Sequence, residues 1–158
     1  MAALGIALIV LSLPRLMAAW WALPGNPHAV PVIVGKADGE AVSVLIASRK
    51  RALSWTPSDG KLWQELGFGY WRAGDRKAAQ EAFEKALRNR PVDGLSWFAL
   101  ARLYHLQGED LKAARALKLS FWTAPNLPGL YWPRLYLITQ LEPAALDILL
   151  DRGDSESR

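Results

Sequence analysis

Residues Trp63 to Pro91 read WQELGFGYWRAGDRKAAQEAFEKALRNRP, and the spacing of the bulky and small residues in this stretch is regular. Trp63, Leu66, Gly67 and Tyr70 fall at i, i+3, i+4 and i+7, which places all four on one face of an α-helix. The pattern breaks at Ala73-Gly74-Asp75, where Gly74 permits a left-handed turn and Asp75 is suited to cap a second helix. Ala79, Phe83 and Ala86 form the stripe of that helix, and Pro91 stops it. Gly67 and Ala79 carry little bulk, so two antiparallel helices can approach closely while Trp63, Tyr70 and Phe83 fill the space around them. The stretch predicts a helical hairpin.

A shift of 34 residues, from Trp63 to Trp97, brings up Trp97, Leu100, Ala101, Tyr104, Ala113, Leu117, Ser120 and Pro125 in the same order. The turn glycine recurs as Gly108. This period, with W-x2-L-G-x2-Y followed by Ala, Phe, Ala and Pro, resembles the tetratricopeptide repeat family. Residues 60–93 match every signature position, whereas residues 94–127 depart at Ala101, Leu117 and Ser120. The resemblance implies an all-α fold, a short α-solenoid of antiparallel hairpins.

Each such hairpin needs neighbours to cover its apolar faces, so the flanks should supply caps. Residues 39–59 read as a degenerate N-terminal cap, with Glu40 to Trp55 a lone second helix and with Ala52 and Pro57 at the repeat's last two positions. Residues 128–151 read as C-terminal capping helices: Trp132 and Leu135 recover the stripe after a one-residue slip, and a short helix runs from Ala144 to Leu150. About six or seven helices are expected over residues 39–151. Residues 152–158 form a polar tail expected to fray.

Residues 1–23 are apolar except for Ser12 and Arg15, close to the roughly 20 residues that cross a bilayer as a helix. Trp20 and Trp21 stand where an interfacial belt is expected, and Pro24-Gly25-Asn26-Pro27 opens a linker over residues 24–38. The expectation is one transmembrane or signal-anchor helix ahead of the repeats. A cleaved signal peptide and a peripheral amphipathic segment are the alternatives. A hydrophobic fraction of 51% in 158 residues agrees with apolar content beyond one water-soluble core. Basic residues after the segment favour a cytoplasmic body by the positive-inside rule, but those lying in a folded helix count less. The expected location is the bacterial inner membrane, single pass, with the body on the periplasmic side.

Signals for chemistry are weak. The stretch Gly69 to Lys77 has Asp75 where a phosphate-binding loop needs lysine. His28 and His105, the two histidines, lack ligand spacing, and no cysteine is present. Ser43, Ser96 and Ser120 have no local base. The net charge of +4 is interleaved along helix faces, which argues against a nucleic-acid patch. No enzyme, cofactor or metal is expected.

What remains is surface recognition. The resemblance places Lys61, Gln64, Phe68, Trp71 and Arg72 of the first repeat in a concave groove, with Leu95, Phe98, Arg102, His105 and Leu106 of the second. Aromatic and basic groups there suit an extended or helical peptide with apolar anchors and acidic character. The alternative is that Phe68, Trp71 and Phe98 pack internally. Family members that clamp a C-terminal carboxylate use lysine and asparagine where this chain has Gln64 and Phe68, so that clamp is not expected. The expected function is a membrane-anchored scaffold that recruits a protein partner into an envelope complex. The layout also looks like that of accessory proteins in bacterial exopolysaccharide systems. A permanent subunit of a membrane complex, or a soluble periplasmic assembly factor, are the alternatives.

Overall fold

The computed structural model describes the backbone of residues 2–150 and the side chains of residues 10–150. The described residues form helices and turns with no strand, and contacts divide the chain into two compact units, Met1–Asn89 and Arg90–Arg158. The polar tail expected over 152–158 lies outside the described residues.

The first unit contains α1 (Ala2–Ala22), a 3-10 turn (Leu23–Gly25), α2 (Asn26–Val34), α3 (Gly39–Trp55), α4 (Gly60–Arg72) and α5 (Arg76–Asn89). Helices α4 and α5 are the hairpin read from the opening stretch. Asp59 starts α4 by accepting from the backbone N–H of Lys61 at 2.9 Å and of Leu62 at 3.1 Å. Gly74 adopts φ +85°, which frees the chain to reverse, and Asp75 Oδ1 then accepts from Ala78 N–H. A Cβ on Gly67 would meet the Phe83 ring at 2.8 Å, so the glycine is what lets that ring lie against the α4 backbone. Ala79, Phe83 and Ala86 are fully buried beside it.

The expected linker and the lone capping helix are replaced by a continuous arrangement. Pro27 at the first turn of α2 suits a helix start, and Gly35 at φ +79° closes it. That glycine turn joins α2 to α3 much as Gly74 joins α4 to α5, so α3 has a helical partner after all. The last turns of α1 also pack on α3, with Ala18 and Ala22 against Ala52 and with Trp21 and Leu62 at the margin. Arg49, 1% exposed, ties these pieces together: Nε donates to Glu65 Oε2 at 2.5 Å, Nη1 to the Ala22 carbonyl at 2.7 Å and Nη2 to Asn26 Oδ1 at 3.0 Å. A carboxylate and two oxygens from α1 and α2 thus satisfy one buried guanidinium on α3.

Among the described residues no helix is long and apolar enough to cross a membrane. The expected anchor over 1–23 takes much of its apolar length from residues 1–9, whose side chains lie outside the described residues.

The second unit contains α6 (Gly94–Leu106), α7 (Asp110–Thr123), a 3-10 turn (Pro128–Leu130), α8 (Tyr131–Gln140) and α9 (Pro143–Leu150). Its hairpin repeats the first in detail. Asp93 caps α6, Gly108 turns at φ +75°, and Trp97 Nε1 donates to the Pro91 carbonyl at 2.8 Å as Trp63 Nε1 does to Pro57 at 2.7 Å. In both copies the signature tryptophan is therefore joined by a hydrogen bond to the proline that ends the preceding repeat. A Cβ on Gly94 would fall 2.4 Å from that of Ala124, which explains the small residue where α6 starts beside the end of α7.

The third register departs from expectation. Trp132 is 74% exposed and stacks edge-on against Tyr131, so it does not take the role of Trp63 and Trp97. The 3-10 turn at Pro128–Leu130 resets the register, and α8 buries Leu137 together with a charged residue, Arg134, 1% exposed. Its Nη2 donates to the Ser120 carbonyl at 2.6 Å, Nη1 to the Ala124 carbonyl at 2.9 Å and Nε to Ser120 Oγ at 3.0 Å, while the guanidinium lies 4.9 Å from the Phe121 ring. Ser120 Oγ in turn donates to the Gly94 carbonyl at 2.7 Å. The serine that breaks the repeat pattern is a junction between α6, α7 and α8.

Candidate functional site

In the second unit a cleft of about 280 Å³ opens between α6 and α8. Helix α6 contributes Phe98, Arg102, His105 and Leu106, at successive turns of one face. Helix α8 contributes Pro133, Tyr136, Leu137 and Gln140. Phe98 and Leu137 are buried, while Leu106 at 47% and Tyr136 at 70% exposure stand open to solvent. Four of the five groove residues expected from the second repeat are thus brought together; Leu95, half-buried at the start of α6, does not line the cleft. The α8 wall escaped the sequence reading, because the register reset before α8 moves Tyr136, not Trp132, into the cleft.

Charge in this cleft is positioned by its rim. His105 Nδ1 lies 2.8 Å from Asp110 Oδ1, and Asp110 Oδ2 accepts from the Glu142 N–H at 3.0 Å, so one carboxylate links α6 to the residue before α9. Burial alone raises the Asp110 pKa. The hydrogen bond to His105, the Glu142 N–H and the His105 charge outweigh that effect, and the net shift is below the ordinary 3.8. A carboxyl whose pKa is depressed by folding stabilises the fold above its unfolded value and loses that contribution as pH falls through the folded value. Asp110→Asn is therefore expected to be less stable than wild type at neutral pH, with the gap closing below 3.8. Urea denaturation across that range checks it, and a gap that widens towards acid would contradict the assignment.

Of the five residues expected from the first repeat, Phe68, Trp71 and Arg72 make contacts within the first unit. Phe68 is buried with its ring edge-on to Phe83 at 5.0 Å, and Trp71 meets Phe83 at 6.3 Å with an interplanar angle of 74°. Gln64 is buried and Lys61 is exposed at the first turn of α4. Arg72 donates through Nε to the Val32 carbonyl at 2.9 Å and through Nη2 to the Ile33 carbonyl at 3.2 Å, neutralising the end of α2. These contacts spend Phe68, Trp71 and Arg72 on holding α2, α4 and α5. A separate cavity of about 330 Å³, lined by Trp63, Leu66 and Tyr70 with Lys50, Glu81 and Lys85, lies on the packing-stripe side of α4 and was not anticipated.

Among the described residues no cluster of histidine and acidic side chains is arranged for a metal ion.

No curated protein gives a significant match to the sequence. Sixteen chains among solved structures do match the fold. One is the Yersinia enterocolitica type III secretion chaperone SycD, determined in complex with a peptide of the translocator YopD. It is 16% identical with a TM-score of 0.58, and the match covers 80% of this chain and 90% of that one. Residues 60–103 match the family model described as tetratricopeptide repeat. Together with the paired hairpins, this match and the structural likeness identify the fold as one of tetratricopeptide type, with repeat sequence running from the start of α4 through most of α6.

Proposed function

We propose that this protein is a non-enzymatic scaffold that holds a peptide segment of a protein partner in the cleft between α6 and α8. The observation that carries this reading is the cleft itself: an apolar floor of Phe98 and Leu137, open apolar walls at Leu106 and Tyr136, and Arg102 with His105 on one side. Such a lining suits an extended or helical segment with an apolar anchor and acidic neighbours. SycD, similar in fold, was determined in complex with a peptide, which supports the reading by likeness of fold.

The wider proposal keeps the membrane. Residues 1–23 attach the scaffold to the bacterial inner membrane with the repeats on the periplasmic side, and confinement to that plane raises the effective concentration of the partner. Assembly of an envelope complex is the role this supports, and polysaccharide export is the pathway suggested by resemblance of layout.

Peptides selected from a random displayed library against the full chain provide the test. Tyr136→Ala is expected to weaken selected peptides about tenfold or more, since an exposed aromatic anchor carries binding energy but little folding energy. Leu106→Asp should do the same. Unchanged affinity in both folded variants would remove the α6–α8 cleft as the binding site.

A further inference from the structure

The helical path does not stop where α1 and the apolar run end. Ala22, Gly25 and Asn26 all keep right-handed helical backbone angles, with φ of −77°, −87° and −58°, so α1 passes through the 3-10 turn into α2 as one bent helical path. Along it Leu13, Leu16, Trp20, Leu23, Val30 and Val34 are all exposed. With the exposed Pro27 included, the intervals alternate between three and four residues, the spacing of a single helical face. The opposite face is occupied: Ala18, Ala22, Ala29 and Val32 are buried against the body of the first unit.

We propose that this stripe is a lipid-contacting surface that continues to Val34, seating the first unit directly on an anionic bilayer instead of suspending it from a linker. Charge favours lipid as the occupant. No aspartate or glutamate occurs before Asp38, and residues 1–89 carry eleven lysines and arginines against seven acids, whereas residues 90–158 carry eight of each. The whole net positive charge therefore belongs to the unit that bears the stripe, as binding to anionic headgroups requires. Trp20, 66% exposed, offers an amphipathic ring at the middle of the face. A helix of a second copy fits less well, because a coiled-coil seam is flanked by charged pairs and the positions beside this stripe include Ser12 and Ala19. The Arg49 bonds to Ala22 and Asn26 lock the bend to α3, so the body would take a fixed orientation on the membrane.

This inference rests on the membrane attachment proposed above, and the test separates the two. The chain lacks cysteine, so single cysteines at Leu16, Val30, Val34 and, as a control, Leu111 can each carry an environment-sensitive fluorophore. The full chain is mixed with vesicles of equal parts phosphatidylcholine and phosphatidylglycerol. Emission at residues 16, 30 and 34 is expected to rise severalfold, shift to the blue and be quenched by brominated lipid, while residue 111 does not respond. A response at 16 without one at 30 and 34 overturns the seated face and leaves a simple tether. No response at any position overturns the membrane attachment as well. A concentration-dependent response without vesicles identifies a second copy as the occupant and overturns the lipid assignment.

Discussion

Arg49→Ala is expected to lower the unfolding free energy by about 3–5 kcal/mol, the cost of leaving one member of a buried ion pair without its partner. The side chains of Arg49 and Glu65 are only 1% and 8% exposed, so water cannot rescue the carboxylate left behind. The same substitution frees the Ala22 carbonyl and Asn26 Oδ1, the acceptors that hold the bend between α1 and α2. Chemical denaturation measures the loss. Replacing both partners, as Arg49→Met with Glu65→Leu, should cost less than the sum of the two single changes, because no buried charge is then orphaned. Additive losses would show that the two groups act independently and would contradict the network.

Arg134→Ala is the corresponding test in the second unit, with an expected loss of about 3 kcal/mol from buried carbonyl oxygens left unpaired and from the space vacated. Burial pushes the Arg134 pKa below its ordinary value, yet the group stays charged, and its charge is met by the Ser120 and Ala124 carbonyls, the Ser120 hydroxyl and the Phe121 ring. Arg134→Lys should recover only part of the loss, since an ammonium cannot reproduce a planar fork that reaches three oxygens. Full recovery by lysine would mean that charge alone matters there. Ser120→Ala restores the residue that the repeat pattern prefers and is nevertheless expected to destabilise, because Gly94 and Arg134 both lose a partner.

Ser120 and Arg134 show where the sequence was legible and where it was not. The hairpins could be read because their packing is local: Gly67 faces Phe83 within one repeat, and Trp63 reaches Pro57 across six residues. The buried arginines could not, because their partners lie in elements whose approach no periodicity encodes, from Ala22 and Glu65 around Arg49 to Ser120 and Ala124 around Arg134. Residues 24–38 read as linker because prolines and glycines interrupt them, although Pro24 and Pro27 each stand in the first turn of a helical element, where proline is tolerated. The candidate site was half legible for a similar reason. The α6 wall is implied by the repeat pattern, while the α8 wall depends on the register reset at Pro128–Leu130.

The most direct test of peptide binding in the second unit is to map amide chemical shifts of the full chain as a library-selected peptide is added. The largest changes are expected at Phe98, His105, Leu106, Tyr136 and Gln140, on the two walls of the cleft. Changes confined to residues 1–89, such as those around the Trp63 and Tyr70 cavity, would contradict the assignment of the partner to the α6–α8 cleft.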